Sequence, residues 1–275
     1  MSHSTPAAFE LHGIGYSSWT EKARWALHHH RIPYRYREHL IWLGMPALAA
    51  RAGLPPEEIT LPILLKSDQG PIVDSLEIAR FAEKWRTQNP DSSSTEELFP
   101  EGLLPEIKHY NLLSELLISR ARLRLCHAIL ESPQAQEAMA PTFVPAFLRP
   151  LTRPLVRKAT LYIMQEFDLH KKRPSEMDSM LIQALVGLNS AIEKAQGGFL
   201  LDGKFTYADI TTAVALGSLR PIQVVFDRLS EQHKKILTDS QLAASFPALL
   251  AWRDRVYREK NPKFKAASAP SSLNS

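Results

Sequence analysis

The sequence predicts two domains, an α/β domain over residues 1–86 and an all-α domain over residues 103–260. Strand and helix patterns alternate in the first segment, whereas only helical periodicity occurs in the second. Residues 87–102, between them, are rich in Pro, Ser and acidic residues, which is typical of a linker. Residues 261–275 are expected to form a disordered tail, since chain ends are poorly ordered unless they are tied down.

Apolar periodicity predicts the elements of the first domain in the order strand, helix, strand, short helix, strand, strand and helix. Strands are predicted in FELHGI, PYRYREH, TLPILL and around PIVD, and the main helices in WTEKARWALHHH and SLEIARFAEKW. In the first helix Trp19, Ala23 and Leu27 share one face. Ser18 can cap this helix, with Glu21 three residues later completing a capping box.

The second domain contains four predicted helices, in LLPEIKHYNLLSELLISRARLRLCHAILE, SEMDSMLIQALVGLNSAIEKAQGG, KFTYADITTAVALGSL and FPALLAWRDRVYRE. The third of these begins with a complete local signal. Thr206 is the N-cap and Asp209 reciprocates at the third position, while Phe205 and Ile210 form a hydrophobic staple. This signal specifies folding and not catalysis.

The composition is that of an ordinary soluble protein, with 44% hydrophobic and 23% charged residues. A formal net charge of +4 is too small to indicate a dedicated nucleic-acid-binding protein. The single cysteine excludes a disulfide framework and fits a reducing compartment. The sequence shows neither the pattern of a secretory signal nor an apolar run of membrane-spanning length. We therefore expect a cytoplasmic protein that binds no nucleic acid.

We predict no metal site. The sequence holds no Cys/His cluster with the spacing of zinc ligands. The consecutive residues His28, His29 and His30 fan out by about 100° each on a helix, so they cannot converge on one ion. They are expected at the surface or at the helix C-terminus.

Four motifs, TLPILL, VDSLEIARF, FTYADI and FPALLAWRDRV, occur in an order and at a spacing that resemble the cytosolic glutathione transferases. The resemblance covers residues 9–86 and, more loosely, residues 100–260. It implies a thioredoxin-like α/β domain followed by an all-α helical domain. It also implies glutathione as co-substrate and a homodimer.

The resemblance assigns the glutathione-binding residues. Leu61-Pro62 matches the position of a cis-proline whose preceding residue pairs with the backbone of glutathione, the alternative being a trans proline that enters an edge strand. Asp74 and Ser75 match the acid–serine pair that holds the γ-glutamyl end. Ser75 could equally serve as the N-cap of the following helix, and one serine can do both.

The resemblance also implies a catalytic hydroxyl in the turn GYSS. Ser17 lies where serine-type members, such as the zeta and theta classes, carry theirs, and Tyr16 lies where a tyrosine-type phenol would reach the same sulfur. Ser18 is the third candidate. The turn contains no cysteine, so the sulfur would come from glutathione. A hydroxyl donor and a helix N-terminus would then stabilise its thiolate, because helix N-termini lower the pKa of a thiol.

The implied function is activation of the glutathione thiol for attack on a hydrophobic electrophile. The alternative is a non-catalytic binding protein with the same fold, which is favoured by the loop ARAGLPPEEITLP because it departs from the family pattern. Trp42, Arg51 and His39 are the candidates for holding the glycine end of glutathione.

Two charged features bear on the electrophile and on membranes. Arg120 and Arg124 share a helix face and could attract an acidic substrate, or form salt bridges. Residues 141–175 carry seven Lys or Arg against two acidic residues, and the prolines at 141, 145, 150 and 154 are expected to break any long helix there. We expect this segment to cover the electrophile site as a surface excursion, with a membrane-surface element as the alternative.

Overall fold

The computed structural model describes residues 9–41, 43–66, 70–89, 96–141, 144–171, 174–222, 231–261 and 264. The first part of the chain forms β1 (Phe9–Gly13), α1 (Ser18–His29), β2 (Arg35–Glu38), α2 (Met45–Ala52), a 3-10 turn (Pro56–Glu58), β3 (Ile63–Lys66), β4 (Ile72–Val73) and α3 (Ser75–Gln88). This order agrees with the order that the apolar periodicity predicts.

The rest of the described chain is helical. It forms a 3-10 turn (Glu101–Leu103), α4 (Leu104–Glu131), α5 (Pro133–Ala138), a 3-10 turn (Ala146–Leu148), α6 (Arg149–Glu166), a 3-10 turn (Leu169–Lys171), α7 (Pro174–Lys194), α8 (Tyr207–Leu216), α9 (Glu231–Leu237), α10 (Ser240–Ser245) and α11 (Pro247–Lys260). The predicted combination of an α/β thioredoxin-like part with an all-α part is confirmed.

The four strands form one mixed sheet in the order β2-β1-β3-β4. β2 runs parallel to β1, whereas β3 is antiparallel to both of its neighbours. Side chains alternate across the sheet, so Leu64 packs into the core that contains α1 and α3, while Ile63 packs with Leu48 of α2. The sheet is therefore covered by helices on both faces.

A buried polar network joins α1 to the long helix α4. The Nζ atom of Lys22, a side chain with no exposed surface, donates to Ser114 Oγ at 2.6 Å and to Glu115 Oε1 at 2.7 Å. The indole Nε1 of Trp19 donates to Glu115 Oε2 at 2.7 Å. The network continues from Ser114 to Thr211 of α8. These bonds satisfy groups that would otherwise be costly to bury.

A second polar centre ties α3 to the segment that precedes α4. Glu83 accepts hydrogen bonds from the backbone N–H of Leu98 at 2.8 Å and from Arg86 at 2.7 Å, and His30 lies 3.1 Å away. Burial by itself would raise the pKa of Glu83, but the contacts with His30, Leu98 and Arg86 lower that pKa to about 2.

The N-cap of α1 differs from prediction. The N-cap is Ser17 and not Ser18, and its side chain makes no capping hydrogen bond. His28 and His29 lie in the last turn of α1 and His30 is its C-cap, which is the predicted helix C-terminus. His29 and His30 are buried there and not at the surface. At α8, in contrast, the capping box of Thr206 and Asp209 is confirmed.

The basic segment holds a long helix, which the prolines were expected to prevent. α6 has 18 residues, with Pro150 in its first turn and Pro154 inside it. The first-turn N–H groups have no intrahelical partner in any case, so Pro150 costs no hydrogen bond and Pro154 removes only one. The predicted tail lies outside the described residues, except for residues 261 and 264. Residues 90–95 of the predicted linker also lie outside them.

Candidate functional site

One edge of the sheet collects the ends of several strands. His12 of β1 pairs with Ile63 of β3, and Ile63 pairs with Val73 of β4. Because both pairings are antiparallel, the residues after β1, before β3 and after β4 meet at the same edge. This register places the turn at residues 14–17 beside Leu61-Pro62, and Leu61-Pro62 beside residues 74–75.

The turn between β1 and α1 is built on a close approach of backbone to side chain. A Cβ atom at Gly13 would lie 2.6 Å from Cγ2 of the buried Thr20, so no larger residue fits without movement. Thr20 Oγ1 accepts the N–H of Ile14 at 3.1 Å, and Ser17 donates its N–H to the Ile14 carbonyl at 2.9 Å. The result is a tight turn that ends with Ser17 at the positive end of α1.

The Leu61-Pro62 peptide bond is cis, as the family resemblance implies. The predicted pair next to it differs in one respect, because Asp74 and not Ser75 is the N-cap of α3. Asp74 has a φ of 82° and its Oδ1 accepts the N–H of Leu76 at 2.7 Å. The Asp74 side chain is exposed, whereas Ser75 is only 1% exposed.

A cavity of about 440 Å³ lies between the sheet edge and the helical part. Of the predicted site residues it is lined by Tyr16, Ser17 and Leu61, together with Ser18. Pro62, Asp74 and Ser75 are outside its lining. The remaining lining comes from residues between β2 and β3, from α4 and α6, from the segment that follows α5, and from residues near α8 and α9. Residues of the basic segment thus contribute to the lining, and their covering of an electrophile site stays a prediction. The structure therefore brings the candidate hydroxyls and Leu61 together around one space.

Tyr16 and Ser17 have different surroundings there. The ring of Tyr16 packs on Ile129, Met139 and Val156 of the helical part. Burial, followed by the nearby Glu38 carboxylate, raises the pKa of the Tyr16 phenol, so this group stays protonated at neutral pH. Ser17 is the N-cap of α1, and its hydroxyl makes no capping hydrogen bond.

Glu38, at the end of β2, adds a negative charge to this part of the cavity lining. Its carboxylate accepts the N–H of Gly15 at 2.9 Å and the hydroxyl of Tyr36 at 2.8 Å. These bonds hold it against the turn. A thiolate bound near Ser17 would have to be stabilised by α1 in the presence of this like charge.

The predicted residues for the glycine end of glutathione are separated. Arg51 forms an ion pair with Glu10 at 2.8 Å. His39 is buried, lines the cavity, and its Nε2 has no hydrogen-bond partner among the described residues. Trp42 lies outside the described residues.

Of the two roles predicted for the arginines of α4, the structure shows salt bridges at Arg120. Arg120 donates to Asp178 and to Asp239, at 2.7 Å each, so it does not serve as a free anion receptor. Arg124 lines the cavity and donates to the Leu237 carbonyl at 2.9 Å. Arg122, which the sequence places on another face, also lines the cavity. Sequence reasoning missed Arg122 because its orientation depends on how α4 packs against α1 and α6.

In the part of the chain that the structure describes, no group of three or more His, Cys, Asp or Glu side chains could hold a metal ion. Over the same residues, no helix combines the length and the apolar character needed to cross a membrane. Cys126 is buried on α4, as predicted, and burial raises the pKa of its thiol to about 11.

Comparison with protein families matches two models. Residues 16–85 match the glutathione S-transferase N-terminal domain, and residues 168–255 match the glutathione S-transferase C-terminal domain. The chain belongs to the glutathione transferase superfamily. The two matches occur in the order that the sequence motifs predict and together span more than half of the chain. No curated protein matches the sequence.

Solved structures of glutathione transferases share the fold. A glutathione transferase from Phanerochaete chrysosporium has a TM-score of 0.55 at 18% identity, with 90% of this chain and 98% of that chain covered. One from Methylobacterium radiotolerans, in complex with glutathione sulfonate, has a TM-score of 0.52 at 18% identity, with 97% of each chain covered. One from Ceriporiopsis subvermispora, in complex with glutathione, has a TM-score of 0.54 at 18% identity, with 90% and 97% covered.

Proposed function

We propose that this glutathione transferase-fold protein is an enzyme that activates the thiol of glutathione for attack on a hydrophobic electrophile. The observation that carries the proposal is the position of Ser17. It is the N-cap of α1, it lines the cavity, and its hydroxyl is not spent on capping. The helix N-terminus and one hydroxyl donor are thus available to a ligand at the same place.

Glutathione would lie along the sheet edge. The backbone of Leu61, before the cis peptide, would pair with the cysteinyl backbone of glutathione as an added strand does. Beyond Pro62, the exposed Asp74 would receive the γ-glutamyl ammonium, and the start of α3 at Ser75 would receive its carboxylate. This orientation brings the thiol toward the turn that ends at Ser17.

The reaction needs a thiolate, because the thiol is a poor nucleophile. The bound thiol loses its proton to water, and the Ser17 hydroxyl and the positive end of α1 stabilise the resulting anion. The sulfur lone pair then forms a C–S bond to the electrophile, and the leaving group departs with its bonding pair. Tyr16, held neutral by its raised pKa, is the second candidate for the hydrogen bond to sulfur.

The proposal is tested by comparing Ser17→Ala with Tyr16→Phe and with Ser18→Ala, which removes the hydroxyl of the third candidate. A hydrogen bond to a charged group contributes about 1.5–3 kcal/mol, so Ser17→Ala should lower kcat/KM with chlorodinitrobenzene by about ten- to a hundred-fold. The pKa of the bound thiol, followed by thiolate absorbance, should rise in the same variant. Ser18→Ala should change neither quantity. Equal activity in Ser17→Ala, Tyr16→Phe and the wild type would refute both assignments.

A second candidate function is glutathione binding without turnover. It is supported by the negative charge of Glu38 beside the turn, because this charge opposes formation of the thiolate that turnover requires. Calorimetric titration with glutathione separates the two functions. Saturable binding with no turnover of chlorodinitrobenzene would favour the binding protein. Binding at the millimolar level with turnover that depends on Ser17 or Tyr16 would favour the enzyme.

Two further expectations complete the proposal. A homodimer is proposed from the family, and sedimentation at micromolar concentration would test it. A cytoplasmic location is proposed from the cysteine usage and could be tested by fractionation of cells that express the tagged protein.

A further inference from the structure

Arg122 has an unusual position on the wall of the cavity. Its guanidinium lies 3.9 Å from the centroid of the Trp19 ring and 3.9 Å from the centroid of the Phe167 ring. The guanidinium carbon lies over the face of each ring, and neither contact is a hydrogen bond to the five N–H donors of the side chain. The two rings thus fix the guanidinium without using its hydrogen bonds.

No described residue forms a hydrogen bond or ion pair with Arg122. The acidic residue whose charge acts on it, Glu115, is already bound by Lys22 and by the indole N–H of Trp19. Burial lowers the pKa of Arg122 to about 10, which still leaves it charged at neutral pH. The cavity therefore contains a positioned cation whose charge is not neutralised by a neighbour.

The space in front of this cation suits the body of a small molecule. Its volume of about 440 Å³ is in the range of small-molecule sites. Apolar side chains of the helical part dominate the wall, among them Ile118, Leu125, Ile129 and Ile163. The carboxylates on the lining are those of Glu38, held by Gly15 and Tyr36, and of Glu166, which is exposed and interacts with Tyr162.

We infer that the cavity binds an amphipathic monoanion, a carboxylate on an apolar body, with the carboxylate on the in-plane N–H groups of Arg122. A carboxylate matches the fork of donors of a guanidinium, and next to a largely buried guanidinium such a pair is stronger than in bulk solvent. This inference rests on the proposed function only in that such a molecule would be the second substrate. As a binding site it stands without glutathione.

The test is displacement of a neutral fluorescent probe, N-phenylnaphthylamine, from the wild-type protein in the absence of glutathione. Decanoate and decanol have the same chain and differ in charge. We expect decanoate to displace the probe at a concentration about ten-fold lower than decanol, the size of effect expected from one desolvated charged contact. If decanol displaces the probe as well as decanoate does, the inference is wrong.

Variants of Arg122 test whether this residue is the source of the preference for decanoate. Arg122→Met should abolish the preference for decanoate while leaving decanol within about two-fold of the wild-type value, and Arg122→Lys should keep only part of the preference. Arg258→Met, which removes the same charge from an exposed position outside the cavity lining, should keep all of it. A preference that survives in a folded Arg122→Met protein would overturn the assignment. If that variant does not fold, the lysine variant decides, since an unchanged preference there would exclude recognition by the guanidinium fork.

This displacement experiment, combined with the glutathione titration and the chlorodinitrobenzene assay, separates this inference from the proposed function. Decanoate selectivity without glutathione binding would leave the anion site intact and remove the transferase assignment. Glutathione-dependent turnover without decanoate selectivity would leave the transferase assignment intact and remove the anion site.

Discussion

The ion pair between Lys22 and Glu115 makes an asymmetric prediction. Lys22 has no exposed surface, whereas the Glu115 side chain is 36% exposed. At a Nζ–Oε1 distance of 2.7 Å and an effective dielectric constant of about 20, the attraction is about 6 kcal/mol. Desolvation offsets most of it, because each buried ion costs several kcal/mol. The loss of unfolding free energy in a variant therefore depends on whether the buried ammonium or the partly exposed carboxylate is left without its partner.

Glu115→Gln leaves the ammonium of Lys22 buried without its counter-ion, and should cost about 3–5 kcal/mol of unfolding free energy. The glutamine oxygen can still accept from Trp19, so the loss is mainly that of the charge. Lys22→Met leaves a carboxylate that water can reach, and should cost about 2–3 kcal/mol, including the hydrogen bond to Ser114. The double variant should lose at least about 1 kcal/mol less than the sum of the single losses.

Urea unfolding followed by far-ultraviolet circular dichroism measures all three values, with the m-value as a check on two-state behaviour. Glu77→Gln is the matched control, because Glu77 pairs with Arg80 on the surface of α3, with both side chains more than half exposed. It should cost less than about 0.5 kcal/mol. A larger loss in Lys22→Met than in Glu115→Gln, or strictly additive losses, would show that burial does not govern this pair.

Three other predictions concern stability and reactivity. The pKa of the Glu83 carboxyl is lowered from an ordinary 4.5 to about 2, so the stability that this carboxylate contributes is complete above pH 4.5 and is lost as the pH falls toward 2. Glu83→Gln should remove about 3 kcal/mol of this acid dependence, which urea unfolding at several pH values would measure. Gly13→Ala should cost about 1–3 kcal/mol because its Cβ would meet Thr20, whereas Gly102→Ala, with open space around it, should be near neutral in thermal melts. Cys126, with its pKa raised to about 11, should react with Ellman's reagent at pH 8 far more slowly in the folded protein than in urea, and equal rates would contradict its burial.

Local signals account for much of what the sequence could predict. The capping box at Thr206 and Asp209 involves residues within one turn, so no tertiary information is needed to find it. Strand and helix order follows from apolar periods of two and 3.6. Each of these features depends on neighbours in the chain.

The sequence-based predictions fail where packing between distant segments determines the structure. Two prolines argue against a helix over residues 149–166, but Pro150 lies where a helix tolerates proline, and α6 packs against α4 and α5. His30 is polar in sequence and buried in the structure because Glu83, on another helix, provides a partner. Arg122 meets two rings from distant parts of the chain, and no sequence spacing encodes that meeting.

Trp19 gives the protein a built-in fluorophore at a useful place. One face of its indole contacts the guanidinium at the cavity wall, and its Nε1 binds the carboxylate that joins α1 to α4. A molecule that neutralises that guanidinium changes the electric field across the indole, and with it the emission wavelength. In a variant whose other four tryptophans are replaced by phenylalanine, this one side chain would report both occupancy of the cavity and cohesion of the two helices.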